Sequence, residues 1–77
     1  MVILVISAPN MRLITISVSE DETIADAKRK FYEEAKTTEF NQWKFNAEVL
    51  KDEKKISDYD LQDQDEISAV RARDGGN

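Results

Sequence analysis

The only two glycines of this 77-residue chain stand side by side, Gly75-Gly76, one residue before Asn77. Glycine enters φ > 0 without steric cost, so a domain of this size normally scatters several through its turns. Here the body manages without any, and the pair closes a segment, Arg71-Ala72-Arg73-Asp74-Gly75-Gly76-Asn77, with almost no apolar content. That segment reads as an extended arm that another protein can grip, or as an ordinary disordered terminus. A second concentration of chemistry is acidic: Asp58, Asp60, Asp63, Asp65 and Glu66 put five carboxylates into nine residues. A divalent cation is the sharp interpretation, but a helix-loop-helix calcium loop wants glycine sixth and glutamate twelfth, where Asp63 and Ala69 stand. The run therefore reads as a solvated acidic turn, suited at most to docking a basic partner. No metal ligand set is assigned.

Composition narrows the remaining chemistry. The chain has no histidine and no cysteine. That removes the commonest general base and metal ligand, the Ser-His and Cys-His nucleophile pairs, and any thiolate zinc site or disulfide. A non-enzymatic protein without a cofactor is expected. Sixteen Asp and Glu oppose eleven Lys and Arg, the wrong balance for a protein that grips a phosphate backbone. No apolar run approaches the ~20 residues of a membrane span. The start, Met1-Val-Ile-Leu-Val-Ile, lacks the basic region and small-residue cleavage site of a signal peptide. Proteins are thus the expected partners of a monomeric chain in the cytosol or nucleus, with neither nucleic acid nor membrane involved.

The elements that would carry these groups follow from periodicity. Val2 to Ile6 is a continuous, β-branched apolar run and predicts a central strand. Ser7-Ala8-Pro9-Asn10 is turn chemistry, and Leu13 to Val18 returns as a second strand with Ile14, Ile16 and Val18 on one face. Thr23 is a good helix N-cap with Asp26 three residues on, a capping-box pair. Ile24, Ala27, Phe31 and Ala35 then make one helical stripe ending near Lys36-Thr37-Thr38. Lys28-Arg29-Lys30, together with Lys54-Lys55, reads as a solvated helix face and loop rather than a basic patch. Trp43 and Phe45 alternate with Lys44 and Asn46 in a third strand, Ala47-Glu48 connects tightly to a fourth at Val49-Leu50, and Lys51 to Lys55 is a charged loop. Ile56 to Leu61 predicts a short helical turn, and Ile67 to Arg73 the last strand, with Ser68 and Val70 outward. The order β-β-α-β-β-β predicts an α+β roll, one helix packed across a mixed sheet.

Taken in order, the opening hairpin, Thr23-Ile24, Lys28, Phe45, Leu50 with Asp52, Ser57-Asp58-Tyr59, Leu61-Gln62, Ile67, Val70 and Gly75-Gly76 resemble ubiquitin and its relatives over essentially the whole chain. The resemblance implies a β-grasp domain over 1–73 with a flexible diglycine tail over 74–77. It also implies a protein that works by being recognised. In conjugated members the C-terminal glycine carboxylate is activated with ATP, passed to an enzyme cysteine as a thioester and joined to a target lysine. Glycines suit a narrow enzyme channel because they carry no Cβ. By this resemblance Gly75 and Gly76 would be the conjugation residues, Asn77 would be clipped first as in a short precursor, and Ala72, Arg73 and Asp74 would be read by the enzymes. Tyr59 resembles the family's structural tyrosine, whose hydroxyl pins a loop.

Departures from ubiquitin are informative. Its partner-binding patch of leucine, isoleucine, histidine and valine corresponds here to Ala8, Lys44, Ser68 and Val70, so only the valine is kept. A charge in the middle of such a patch must be paired by the partner or desolvated at several kcal/mol. The two lysines most used for ubiquitin chains are Glu48 and Asp63 here, which leaves Lys28, Lys30, Lys51, Lys54 and Lys55 as candidate acceptors. A relative that tags cullins also has alanine at the position of Ala72, which implies an activating enzyme other than ubiquitin's own. Asp74 inverts the charge where the tail would enter that enzyme and weighs against conjugation. Two functions are therefore expected of this resemblance: a modifier attached through Gly76, or the N-terminal docking domain of a longer protein.

Overall fold

The computed structural model describes residues 1–71. Five strands, β1 (Val2–Ser7), β2 (Ile14–Val18), β3 (Gln42–Phe45), β4 (Glu48–Val49) and β5 (Asp65–Val70), form one sheet in the order β2-β1-β5-β3-β4. β1 and β5 run parallel and the other neighbours antiparallel. The helix α1 (Ile24–Ala35) lies across one face, and a 3₁₀ turn spans Ile56–Tyr59. This is the expected mixed-sheet roll.

Alternation decides the buried face. Val2, Leu4 and Ile6 point inward from β1, Ile16 and Val18 from β2, and Ile67 and Ala69 from β5. They meet Ile24, Ala27 and Phe31 of α1, with Trp43, Leu50, Ile56 and Leu61 closing the cluster. Thr23 caps α1 as its sequence predicts: the Asp26 amide donates to Thr23 Oγ1, and the Thr23 amide to the Asp26 carboxylate, each at 3.2 Å. The next exposed donors of the helix are met from outside. The Ile24 and Ala25 amides donate to the Lys54 and Asp52 carbonyls at 2.8 and 3.2 Å, so the loop after Leu50 is tied to the start of α1.

Three elements differ from expectation at their boundaries. β5 begins at Asp65, because parallel register with β1 (Leu4 opposite Asp65, Val5 opposite Glu66) recruits two acidic residues that no apolar pattern would mark. It ends at Val70, and Arg71 has left the sheet; Ala72 and Arg73, expected in the strand, lie outside the described residues. β2 begins at Ile14 and leaves Leu13 56% exposed. The third is the β3–β4 turn, which falls on Asn46-Ala47, one residue earlier than expected, so that Phe45 faces Glu48 and Lys44 faces Val49. Both turn residues have positive φ, 53° and 67°, as a two-residue hairpin of matching twist demands.

A body without glycine must fill its left-handed positions otherwise. Asn10, Lys36, Asn46, Ala47, Asp60 and Gln64 all sit at positive φ. Asn and Asp tolerate this region, whereas a residue with an ordinary Cβ is disfavoured there by roughly 1–2 kcal/mol. Ala47 has no side-chain hydrogen bond with which to offset that cost, and it is exposed. Ala47→Gly is therefore expected to raise stability by about 0.5–1 kcal/mol after the extra entropy of the unfolded chain is counted. A denaturant midpoint at or below that of the native chain would contradict this.

Candidate functional site

The sheet face turned away from α1 carries the candidate recognition residues. Register places Val49, Lys44, Ser68 and Ser7 in one row across β4, β3, β5 and β1, with Gln42 opposite Val70 in the next row. Lys44 and Ser68 are exposed, Val70 is half-buried, and Val49 is 46% exposed. The Lys44 ammonium thus stands between a valine and a small hydroxyl, at the middle of the face. Val49 was missed from the sequence because a turn placed one residue too late pairs it with the wrong neighbour. Counting back from a two-residue Asn46-Ala47 turn would have found it.

Ala8 is not part of this surface. It is 8% exposed and belongs to the core. Its position continues the inward parity of Val2, Leu4 and Ile6, and the turn that follows folds over it, with the Met11 amide donating to the Ala8 carbonyl at 3.3 Å. That parity was the signal that could have placed it.

The candidate acceptor lysines separate into three kinds. Lys51, Lys54 and Lys55 are exposed. Lys30 is partly covered, its ammonium 2.8 Å from the Ser17 carbonyl and 2.9 Å from Glu22 Oε1. Lys28 is buried, against the expectation of a solvated helix face: its side chain is 8% exposed and its ammonium donates to the Asn41 carbonyl and to Asp52, both at 2.6 Å. Two loops that are remote in sequence close over it, and its amine is not available for acylation in the folded chain.

Carboxylates of the acidic segment accept from backbone amides. Asp58 takes the Lys55 amide at 2.9 Å, Asp63 the Ile3 amide at 2.8 Å, and Asp65 the Gln62 amide at 2.8 Å. Among the described residues no group of three or more acidic side chains is placed to hold a metal ion. Tyr59 Oη accepts the Lys51 amide at 2.8 Å and fixes the charged loop, as a structural tyrosine would. Glu22 has its pKa lowered from the usual carboxylate value. The largest cause is the hydrogen bond from the Ser19 amide, followed by that from Lys30. The tail residues Ala72, Arg73, Asp74, Gly75, Gly76 and Asn77 lie outside the described residues.

A mixed sheet in this strand order, one capped helix across it and the Tyr59 pin make a β-grasp domain. The family model for the ubiquitin family matches residues 3–74, nearly the whole chain and up to the residue before Gly75. The chain belongs to the ubiquitin family. No match to it is found among curated proteins. Ubiquitin-family domains interact with other proteins and are typically non-enzymatic. On this member of the family the outward face of β3 and β5 is centred on a cation.

Proposed function

We propose that this ubiquitin-family chain is a protein modifier, joined to target lysines through the Gly76 carboxylate once Asn77 has been removed. One observation carries the reading. Six positions of the folded body sit at positive φ and none is glycine, while both glycines of the chain are placed together just beyond the matched domain. Glycine is withheld where backbone geometry favours it and kept together as a pair without Cβ atoms, which suits passage through a narrow enzyme channel. The reaction would consume ATP to activate the carboxylate, pass the acyl group to an enzyme thiol, and end in an amide with a lysine amine as the thiol leaves. Ala72, Arg73 and Asp74 would be the residues those enzymes read, and Lys51, Lys54 and Lys55 the most exposed of the candidate acceptor amines. The setting is the cytosol or nucleus.

A second reading is favoured by the exposed row through Lys44. A docking domain would use that face, with Ser68 and Val70, to hold a partner that supplies a carboxylate to the ammonium. One experiment separates the two. An N-terminally tagged chain and its Gly76→Ala variant are expressed in source cells and blotted under denaturing conditions. The modifier reading expects slower bands in the native lane that are absent from the variant. A single band in both lanes, with stressed and hydrolase-inhibited samples agreeing, overturns it and supports the docking domain.

A further inference from the structure

We propose that the Lys30 ammonium guards the open edge of the sheet, and that neutralising it lets β2 pair with β2 of a second copy of this chain. The sheet has two edges. β4 is only two residues long, a length that by itself discourages strand addition. β2 is five residues long, and the stretch Leu13-Ile14-Thr15-Ile16-Ser17-Val18 holds no charge, proline or glycine. A β-branched, uncharged segment of about six residues on an open edge is the pattern that adds strands.

The direction of the edge groups follows from the neighbouring strand. Ile3 turns its peptide groups away from β2: its amide donates to Asp63 at 2.8 Å and its carbonyl accepts the Gln64 amide at 2.6 Å. Ser17, opposite Ile3 in the antiparallel register, is therefore in a pair that exchanges no hydrogen bonds, and so is Thr15 opposite Val5. The peptide groups of Thr15 and Ser17 point off the edge. On that edge the Lys30 ammonium closes the Ser17 carbonyl at 2.8 Å. Glu22 holds the ammonium there at 2.9 Å, and its own carboxylate is positioned by the Ser19 amide at 2.7 Å.

A two-fold pairing of β2 with itself sets Thr15 of one copy opposite Ser17 of the other. Each such pair exchanges both peptide hydrogen bonds and uses a Ser17 carbonyl. An incoming strand must thus displace the ammonium or set its own amide against a charged donor. Because one surface meets itself, the contact closes as a dimer. Acylation of the amine by an acyl thioester forms an amide at Nζ, releases the thiol and a proton, and removes the charge. Lys30 thereby becomes a modification site whose occupancy controls self-association. This holds whether or not the chain is itself a modifier.

The test is sedimentation velocity on the purified full chain at roughly physiological salt, where exposed charges are screened beyond about 8 Å. The native chain and Lys30→Arg are expected to stay monomeric. Lys30→Met is expected to dimerise with an apparent Kd at least about tenfold lower than the native chain. Adding Thr15→Pro to Lys30→Met should restore the monomer, since proline removes an outward amide without taking one from the β1 ladder. A folded Lys30→Met protein that remains monomeric, or a dimer indifferent to Thr15→Pro, overturns the proposal. If Lys30→Met does not fold, acetyllysine introduced at position 30 carries the same expectation and the same refutation.

Discussion

Trp43→Ala is expected to cost about 3–5 kcal/mol, the range for emptying a large aromatic site in a packed core. Trp43 is wholly buried and meets the Phe31 ring edge-on, with centroids 5.8 Å apart and planes at 80°. A domain of this size has only about 5–15 kcal/mol in total, so the variant should be partly unfolded at ambient temperature. Trp43→Phe is expected to behave quite differently. The indole Nε1 is buried without a hydrogen-bond partner, and a buried donor left unmatched costs about 1–3 kcal/mol. Phenylalanine keeps the contact with Phe31, loses part of the ring volume and discards that donor. The two changes oppose each other, and the net effect should stay within about 1 kcal/mol. Urea unfolding of both variants, followed by circular dichroism, measures the difference. A Trp43→Phe penalty well above 2 kcal/mol would mean that volume alone governs the site.

Lys28→Ala is the second large effect, expected at about 2–4 kcal/mol. Breaking a buried ion pair costs about 3–5 kcal/mol when the remaining charge is trapped. Here the figure is discounted because Asp52 is 61% exposed and can rehydrate. What the variant loses is the clamp itself: one ammonium holds the Asn41 carbonyl and the Asp52 carboxylate against α1. At roughly 4–8 °C per kcal/mol for a domain of this length, Tm should fall by roughly 8–32 °C. Asp52→Asn leaves the Lys28 ammonium, only 8% exposed, without its counter-charge, and should cost about 1–3 kcal/mol even though the amide oxygen can still accept from it. Lys28→Met, which keeps most of the stem and leaves only the exposed Asp52 charge to rehydrate, should cost less than Lys28→Ala. A Tm unchanged by Asp52→Asn would refute the dependence of the buried ammonium on its partner.

Local rules made much of the fold legible. The inward parity of Val2, Leu4 and Ile6, the stripe Ile24-Ala27-Phe31 and the Thr23-Asp26 box each depend on residues within a turn or a strand of one another. The β3–β4 turn was misplaced because its residues, Asn46-Ala47, lack the glycine by which such turns are usually recognised, and an alanine at positive φ leaves no mark in composition. The same one-residue shift separates Val49 from Lys44, the residue it faces in the sheet.

Composition and periodicity alone carry a chain without histidine or cysteine, a β-grasp order of elements, and a glycine pair set apart from a glycine-free body. Tertiary structure alone decided which charges are free. Lys28 and Lys30 lie two residues apart on α1, yet one is sealed beneath loops from Asn41 and Asp52 and the other sits on the edge of β2. Lys44 became the centre of an open face because β3 pairs with β5, some two dozen residues away. The physical reason is common to all three. Periodicity records which way a side chain leaves its own element, whereas exposure and pairing are set by what a distant part of the chain brings against it.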